Sequence, residues 1–170
     1  MINNINKLSE IQFIKLFANI FENSRFIAED LYRKKGEGFN DFEDLIKKMM
    51  DIFDTTTKEQ KLKILNAHPD LVDKAKTASL SSDSKNEQNS AGLDQCTEDD
   101  FKEFKKLNDL YKKKYNFPFI LAVKGKNKNE ILDNFKKRIS FNPEIEFDEA
   151  TKQVKQISSL RLKELKNKVF

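Results

Sequence analysis

The single histidine of the chain, His68, stands in Asn66-Ala67-His68-Pro69-Asp70-Leu71, where the apolar periodicity of the preceding helix stops. Pro69 disfavours helical backbone for the residue before it, so the imidazole is carried on a turn at a helix C-terminus and aimed by the main chain. An imidazole with an ordinary pKa of about 6.5 suits proton transfer at neutral pH, and the carbonyls of a helix end favour its charged form. A general acid and a histidine that merely caps the last turn both fit this position. A second cluster, Ser84-Lys85-Asn86-Glu87-Gln88, has Ser-x-x-Glu spacing. It reads either as a capping box, in which Glu87 returns to the backbone amide of Ser84, or as polar side chains beside helix N–H groups that hold an anionic or amide-rich ligand. The third candidate is Arg161. The apolar stripe Ala150, Val154, Ile157 continues by fours to Arg161 and then Leu165, so a guanidinium falls where the pattern calls for leucine. A buried arginine needs a paired anion, from the protein or from a ligand, and its planar fork suits a carboxylate or a ureido carbonyl. An edge arginine that lays its stem on the core and snorkels outward also satisfies the pattern.

Scarcity limits the chemistry further. With one His and one Cys, Cys96, no zinc site of the usual composition can be assembled within the chain, and glycines at positions 36, 38, 92 and 125 cannot form a phosphate-cradling loop. Neither metal nor cofactor is expected. The 32 basic and 28 acidic residues leave a net charge of +4, and lysines alternate with acids, as in Lys102-Glu103 and Lys163-Glu164, the pattern of solvated helix faces and not of a nucleic-acid surface. The longest apolar run, Phe117 to Val123, is far shorter than the roughly 20 residues that span a bilayer, so no membrane partner is expected. The start, MINNINKLSE, lacks the basic and apolar regions of a signal peptide, and a lone cysteine makes no internal disulfide. A cytoplasmic, reducing location follows as the expectation.

The elements that must position these side chains are helical. Cap residues followed three positions later by an acid occur at Asn40/Glu43, Thr56/Glu59, Ser84/Glu87, Thr97/Asp100 and Asn127/Glu130, and Asn142-Pro143 places a proline at a first helical position. Upstream, Phe13, Phe17, Ile20 and Phe21 recur at helical spacing, and a further amphipathic stretch runs from Arg25 to Lys34. The segment Ala75 to Ser90 is polar and reads as a loop entering a short polar helix. Phe117 to Val123 contains a proline and is too short for a buried helix, so it reads as a buried extended segment. The expectation is all-α: one domain over residues 1–170, of about eight helices with one short buried extended segment.

Along the chain come His68-Pro69-Asp70-Leu71, Ser84-x-x-Glu87-Gln88, Ala91-Gly92-Leu93, Leu107-Asn108 with Tyr115, Phe117-Pro118-Phe119-Ile120 and Leu160-Arg161-Leu162. In this order the motifs resemble the OHCU decarboxylase family. The resemblance implies an all-helical, cofactor-free, usually dimeric enzyme that converts 2-oxo-4-hydroxy-4-carboxy-5-ureidoimidazoline, an intermediate of urate breakdown, to (S)-allantoin and carbon dioxide. It further implies that His68, Glu87 and Arg161 are catalytic. Substrate would be bound by Pro69, by Ser84, Lys85, Asn86, Glu87 and Gln88, and by the backbone of Phe119, Ile120, Leu121, Ala122 and Val123. Where the family tends to have Glu-His-Ser-Pro-Trp, this chain has Glu22-Asn23-Ser24-Arg25-Phe26, and where it often has Cys-Val-Arg-Gly the chain reads Ala122-Val123-Lys124-Gly125. Two other readings remain: a cofactor-free enzyme acting on a related ureide, and a non-catalytic helical interaction module.

Overall fold

Helix-start signals become nine α-helices in a computed structural model that describes residues 1–72 and 81–169. They are α1 (Ile2–Asn6), α2 (Glu10–Phe17), α3 (Phe26–Lys34), α4 (Phe42–Thr55), α5 (Lys58–Ala67), α6 (Ser82–Ser90), α7 (Glu98–Tyr115), α8 (Lys128–Arg138) and α9 (Pro143–Val169), with a 3₁₀ turn at Leu93–Gln95. The fold is all-α, and no strand occurs among the described residues. None of their helices is long and apolar enough to cross a membrane.

Three expected starts hold. Thr97 with Asp100 and Asn127 with Glu130 form reciprocal capping boxes, and Pro143 opens α9. Two starts shift by one residue. Asp41, not Asn40, accepts from the amide of Asp44, and Thr57, not Thr56, exchanges bonds with Gln60, because in each case the next residue offers an equally good acceptor. Thr56 instead closes α4, its hydroxyl donating to the Phe53 carbonyl. Ser81, not Ser84, caps α6, and Ser84 lies within the first turn with its N–H donating to Ser81 Oγ. Glu87 is therefore not the return arm of a capping box, and it sits beyond the open N–H groups of the helix end. The short polar helix is present, while Ala75 to Leu80 lie outside the described residues. The Phe13–Phe21 pattern ends as helix at Phe17, with Ile20 and Phe21 buried on the following turn. The added helix, α1, is too short to leave a periodic signal.

Contacts divide the chain into two compact units, residues 1–67 with α9 from Ile157 onward, and His68–Gln156. The first is built on aromatic packing. Phe13 lies against Phe17, Tyr32 and Phe39 at centroid distances of 4.6, 5.4 and 6.0 Å, and Phe21 stacks on Phe53 at 5.1 Å. The Asn6 amide bonds both the N–H and the carbonyl of Phe39 at 2.9 Å, which brings it so close to Gly38 (φ +116°) that an added Cβ would lie 2.7 Å from its Cγ. Only glycine fits there.

In the second unit Tyr111 of α7 is fully buried among Tyr115, Phe117, Phe119 and Phe135. All of Phe117 to Val123 is buried and non-helical, as expected for an extended core segment. With no strand beside it, its backbone polar groups need partners from side chains.

Candidate active site

His68 follows the last residue of α5 directly and is partly exposed. The three residues after Pro69 are held by α6 and α7 of the same unit. The Asp70 carboxylate accepts from Lys112 Nζ at 2.5 Å, the Leu71 carbonyl accepts from Asn108 Nδ2 at 2.9 Å, and the Val72 N–H donates to Gln88 Oε1 at 3.1 Å. Gln88 Nε2 also reaches the Asp70 carbonyl at 3.5 Å. Val72 adopts φ +58°, a left-handed conformation that a β-branched residue takes only when its surroundings impose it. The main chain carrying the imidazole is thus pinned at three successive residues.

The Gln88 bonds also join α6 to this turn. Segment 84–88 and the His-Pro-Asp-Leu turn meet through Gln88, whose neighbour Glu87 is half-buried on the same helix. Ser84 is buried, while Lys85 and Asn86 are exposed. Gln88 therefore has a structural engagement that its place in the motif did not indicate.

The extended segment is held through two main-chain groups. Arg138 Nη1 donates to the Ile120 carbonyl at 2.7 Å, and the Ala122 N–H donates to Gln153 Oε1 at 2.9 Å. Phe119 stacks on Phe135 at 3.9 Å with the Arg138 guanidinium 4.5 Å from its ring centre.

Arg161 lies in the other unit and is buried, so the outward-snorkelling reading does not hold. Its Nη1 is 2.9 Å from Glu22 Oε2, with both side chains 4% exposed, and the same nitrogen donates to the Asn19 carbonyl at 3.4 Å. Ser158, one turn earlier, donates to the Ile20 carbonyl at 3.3 Å, so this part of α9 grips the turn after α2. Glu22 was missed as the partner of Arg161. Its one signal was a place in the Glu-Asn-Ser stretch where the chain departs from the family pattern.

A family model described as OHCU decarboxylase matches residues 6–163, a range that takes in His68, the segment 84–88, the segment Phe119 to Val123 and Arg161. The chain belongs to the OHCU decarboxylase family. It is 31% identical over 160 residues to the 2-oxo-4-hydroxy-4-carboxy-5-ureidoimidazoline decarboxylase of Haloferax volcanii, across 94% of this chain and 92% of that protein. It is 35% identical over 161 residues to the uric acid degradation bifunctional protein of Bacillus sp. strain TB-90, across 95% of this chain but only 31% of that protein, so it spans about a third of this relative. Among solved structures, (S)-allantoin synthase aligns with a TM-score of 0.78 and 26% identity over 97% of this chain and 54% of that one.

Proposed function

We propose that the protein is a carboxy-lyase that converts 2-oxo-4-hydroxy-4-carboxy-5-ureidoimidazoline to (S)-allantoin and carbon dioxide in urate degradation, acting over residues 1–170 as one catalytic chain without a cofactor. The observation that carries this reading is the family match over residues 6–163, which includes a histidine on a turn pinned at Asp70, Leu71 and Val72. The substrate's chemistry needs no external electron sink. The C–C bond to the carboxylate breaks, and its electron pair forms a double bond to the neighbouring ureido-bearing ring carbon as the C=N π pair moves to nitrogen and takes up a proton. The resulting enol gives up its hydroxyl proton to become the ring carbonyl, and a proton is added to one face of the ureido-bearing carbon.

In this reading His68 delivers that proton, Glu87 orients the imidazole or the ureido group, and Arg161 fixes the substrate. Pinning the His68 turn supports such a role, because stereospecific protonation requires the donor to approach from one direction. The Glu22 carboxylate supports the Arg161 role by holding the guanidinium plane in one orientation inside the protein. Pro69, Ser84, Lys85, Asn86, Gln88 and the backbone of Phe119 to Val123 contribute to binding the ureide. Assembly as a homodimer and a cytoplasmic location belong to the same reading.

The deciding experiment supplies freshly generated substrate and follows carbon dioxide release together with the optical rotation of the product. Accelerated release giving the S enantiomer is expected. Release no faster than spontaneous decay would leave a non-catalytic helical module, and turnover of a different ureide alone would leave another lyase.

A further inference from the structure

Arg138 ends α8 beside Lys136 and Lys137, the place of an ordinary solvated last-turn cation, yet its side chain is 4% exposed and that of its partner Glu146 is 0% exposed. Arg138 Nε donates to both Glu146 oxygens at 3.0 and 3.1 Å, Nη2 adds a further bond to Oε1, and the Tyr111 hydroxyl donates to the same oxygen. Burying such a pair gives little net stability, since well-packed apolar residues of similar volume often do as well or better. What apolar residues cannot provide is the remaining bond, from Arg138 Nη1 to the Ile120 carbonyl.

That bond and the one from Ala122 to Gln153 grip the two peptide groups that flank Leu121. No cis peptide occurs among the described residues, and in a trans peptide the C=O and N–H point in opposite directions. With the Ile120 carbonyl turned to Arg138, the Leu121 N–H is aimed away from it. With the Ala122 N–H turned to Gln153, the Leu121 carbonyl is aimed away from that residue. Leu121 thereby presents an oriented donor and acceptor in succession, which is complementary to the –NH–C(=O)– edge of a cyclic ureide.

We propose that Arg138, Glu146, Tyr111 and Gln153 are positioning residues that orient the Leu121 peptide groups for recognition of the ureide edge of the substrate. The inference rests on the decarboxylase reading, in which this backbone contacts substrate. Its test separates binding from folding and from chemistry. The paired replacement Arg138→Met with Glu146→Met removes both buried charges and leaves no lone ion, while Gln153→Met releases the Ala122 clamp, together with a bond to Glu149 on the same helix, and leaves the ion pair intact. Each variant is compared with the unmodified protein for KM and kcat with fresh substrate, for Kd of (S)-allantoin by calorimetry, and for thermal midpoint. The expected result is a rise of at least tenfold in KM and in Kd, with kcat reduced less than fivefold and a cooperative thermal transition retained. If the paired variant fails to fold, Gln153→Met decides. KM and Kd within twofold of the unmodified protein in every folded variant overturn the positioning role and leave the decarboxylase reading in place. An inert unmodified protein that binds no (S)-allantoin removes the decarboxylase reading, and the inference with it.

Discussion

Arg161 and Glu22 form an ion pair 2.9 Å apart with both side chains 4% exposed, linking the helix α9 to the turn after α2 across 139 positions of sequence (161 − 22). The pair converts an interruption of an apolar stripe into a fixed guanidinium. Its energetic signature differs from that of a surface pair, because removal of one partner leaves the other ion buried.

Glu22→Ala should therefore destabilise the protein by about 3–5 kcal/mol in denaturant unfolding. Arg161→Lys keeps the charge but loses the planar fork, so it should weaken substrate binding, seen as a higher KM, at a smaller cost in stability. A Glu22→Ala variant as stable as the parent would show that the pair is not what holds Arg161 in place.

His68→Asn should lower kcat at least 100-fold, within the roughly 10²–10⁴-fold that a positioned general acid supplies, while leaving the denaturation midpoint close to that of the parent. The side chain is partly exposed, and the turn is held at Asp70, Leu71 and Val72, none of which the substitution alters, which is why the fold should survive. A variant with most of its activity intact would take the proton-carrier role from His68.

The extent to which the sequence foretold this arrangement follows from how local each signal is. A reciprocal cap such as Thr97/Asp100 lies within four residues and is readable, whereas Ser81 and Ser84 are chemically equivalent caps, and spacing alone selected the wrong one. That Arg161 interrupts an apolar stripe was legible on its own helix, but a buried guanidinium and one snorkelling outward fit that stripe equally well, and only packing decides between them. The identity of its partner was not legible, since Glu22 is brought to it by the packing of α9 on a distant turn. Arg138 left no signal at all. It looks like the lysines beside it, and only the meeting of α7, α8 and α9 reveals that it is enclosed with Glu146 and Tyr111. The His68 turn was readable as a turn from Pro69, but its attachment through Lys112, Asn108 and Gln88 was not.

Gln88→Leu should loosen that turn. The substitution keeps a side chain of similar volume but removes the acceptor of the Val72 N–H, at a residue already held at φ +58°. Loss of a buried hydrogen-bond partner costs about 1–3 kcal/mol. Because the strained conformation then has less to hold it, faster amide exchange should appear at Asp70 to Val72, together with a drop in kcat. Exchange confined to the ends of α6 would argue that Gln88 serves its own helix and not the turn.

The Asp100–Lys128 pair sets a pH dependence whose sign can be worked out. A 2.6 Å bond from Lys128, together with the bonds from the Thr97 N–H and hydroxyl, holds the Asp100 carboxyl down from 3.8 to about 2, and Asp100 in turn raises the ammonium of Lys128 above its usual 10.5. A carboxyl with a lower pKa in the folded state binds fewer protons there than in the unfolded chain, so its contribution is complete above about pH 4 and is lost as pH falls through about 2. For Lys128 the sign is opposite: its contribution is present below 10.5 and lost as pH rises beyond the raised value. Asp100→Asn keeps an acceptor for the Thr97 cap while removing the charge. Its deficit in unfolding free energy against the parent should therefore be flat across neutral pH, shrink steadily from pH 4 towards 2, and shrink again above 10.5. A deficit that stays constant down to pH 2 would mean that Asp100 acts through its cap geometry alone and not through its charge.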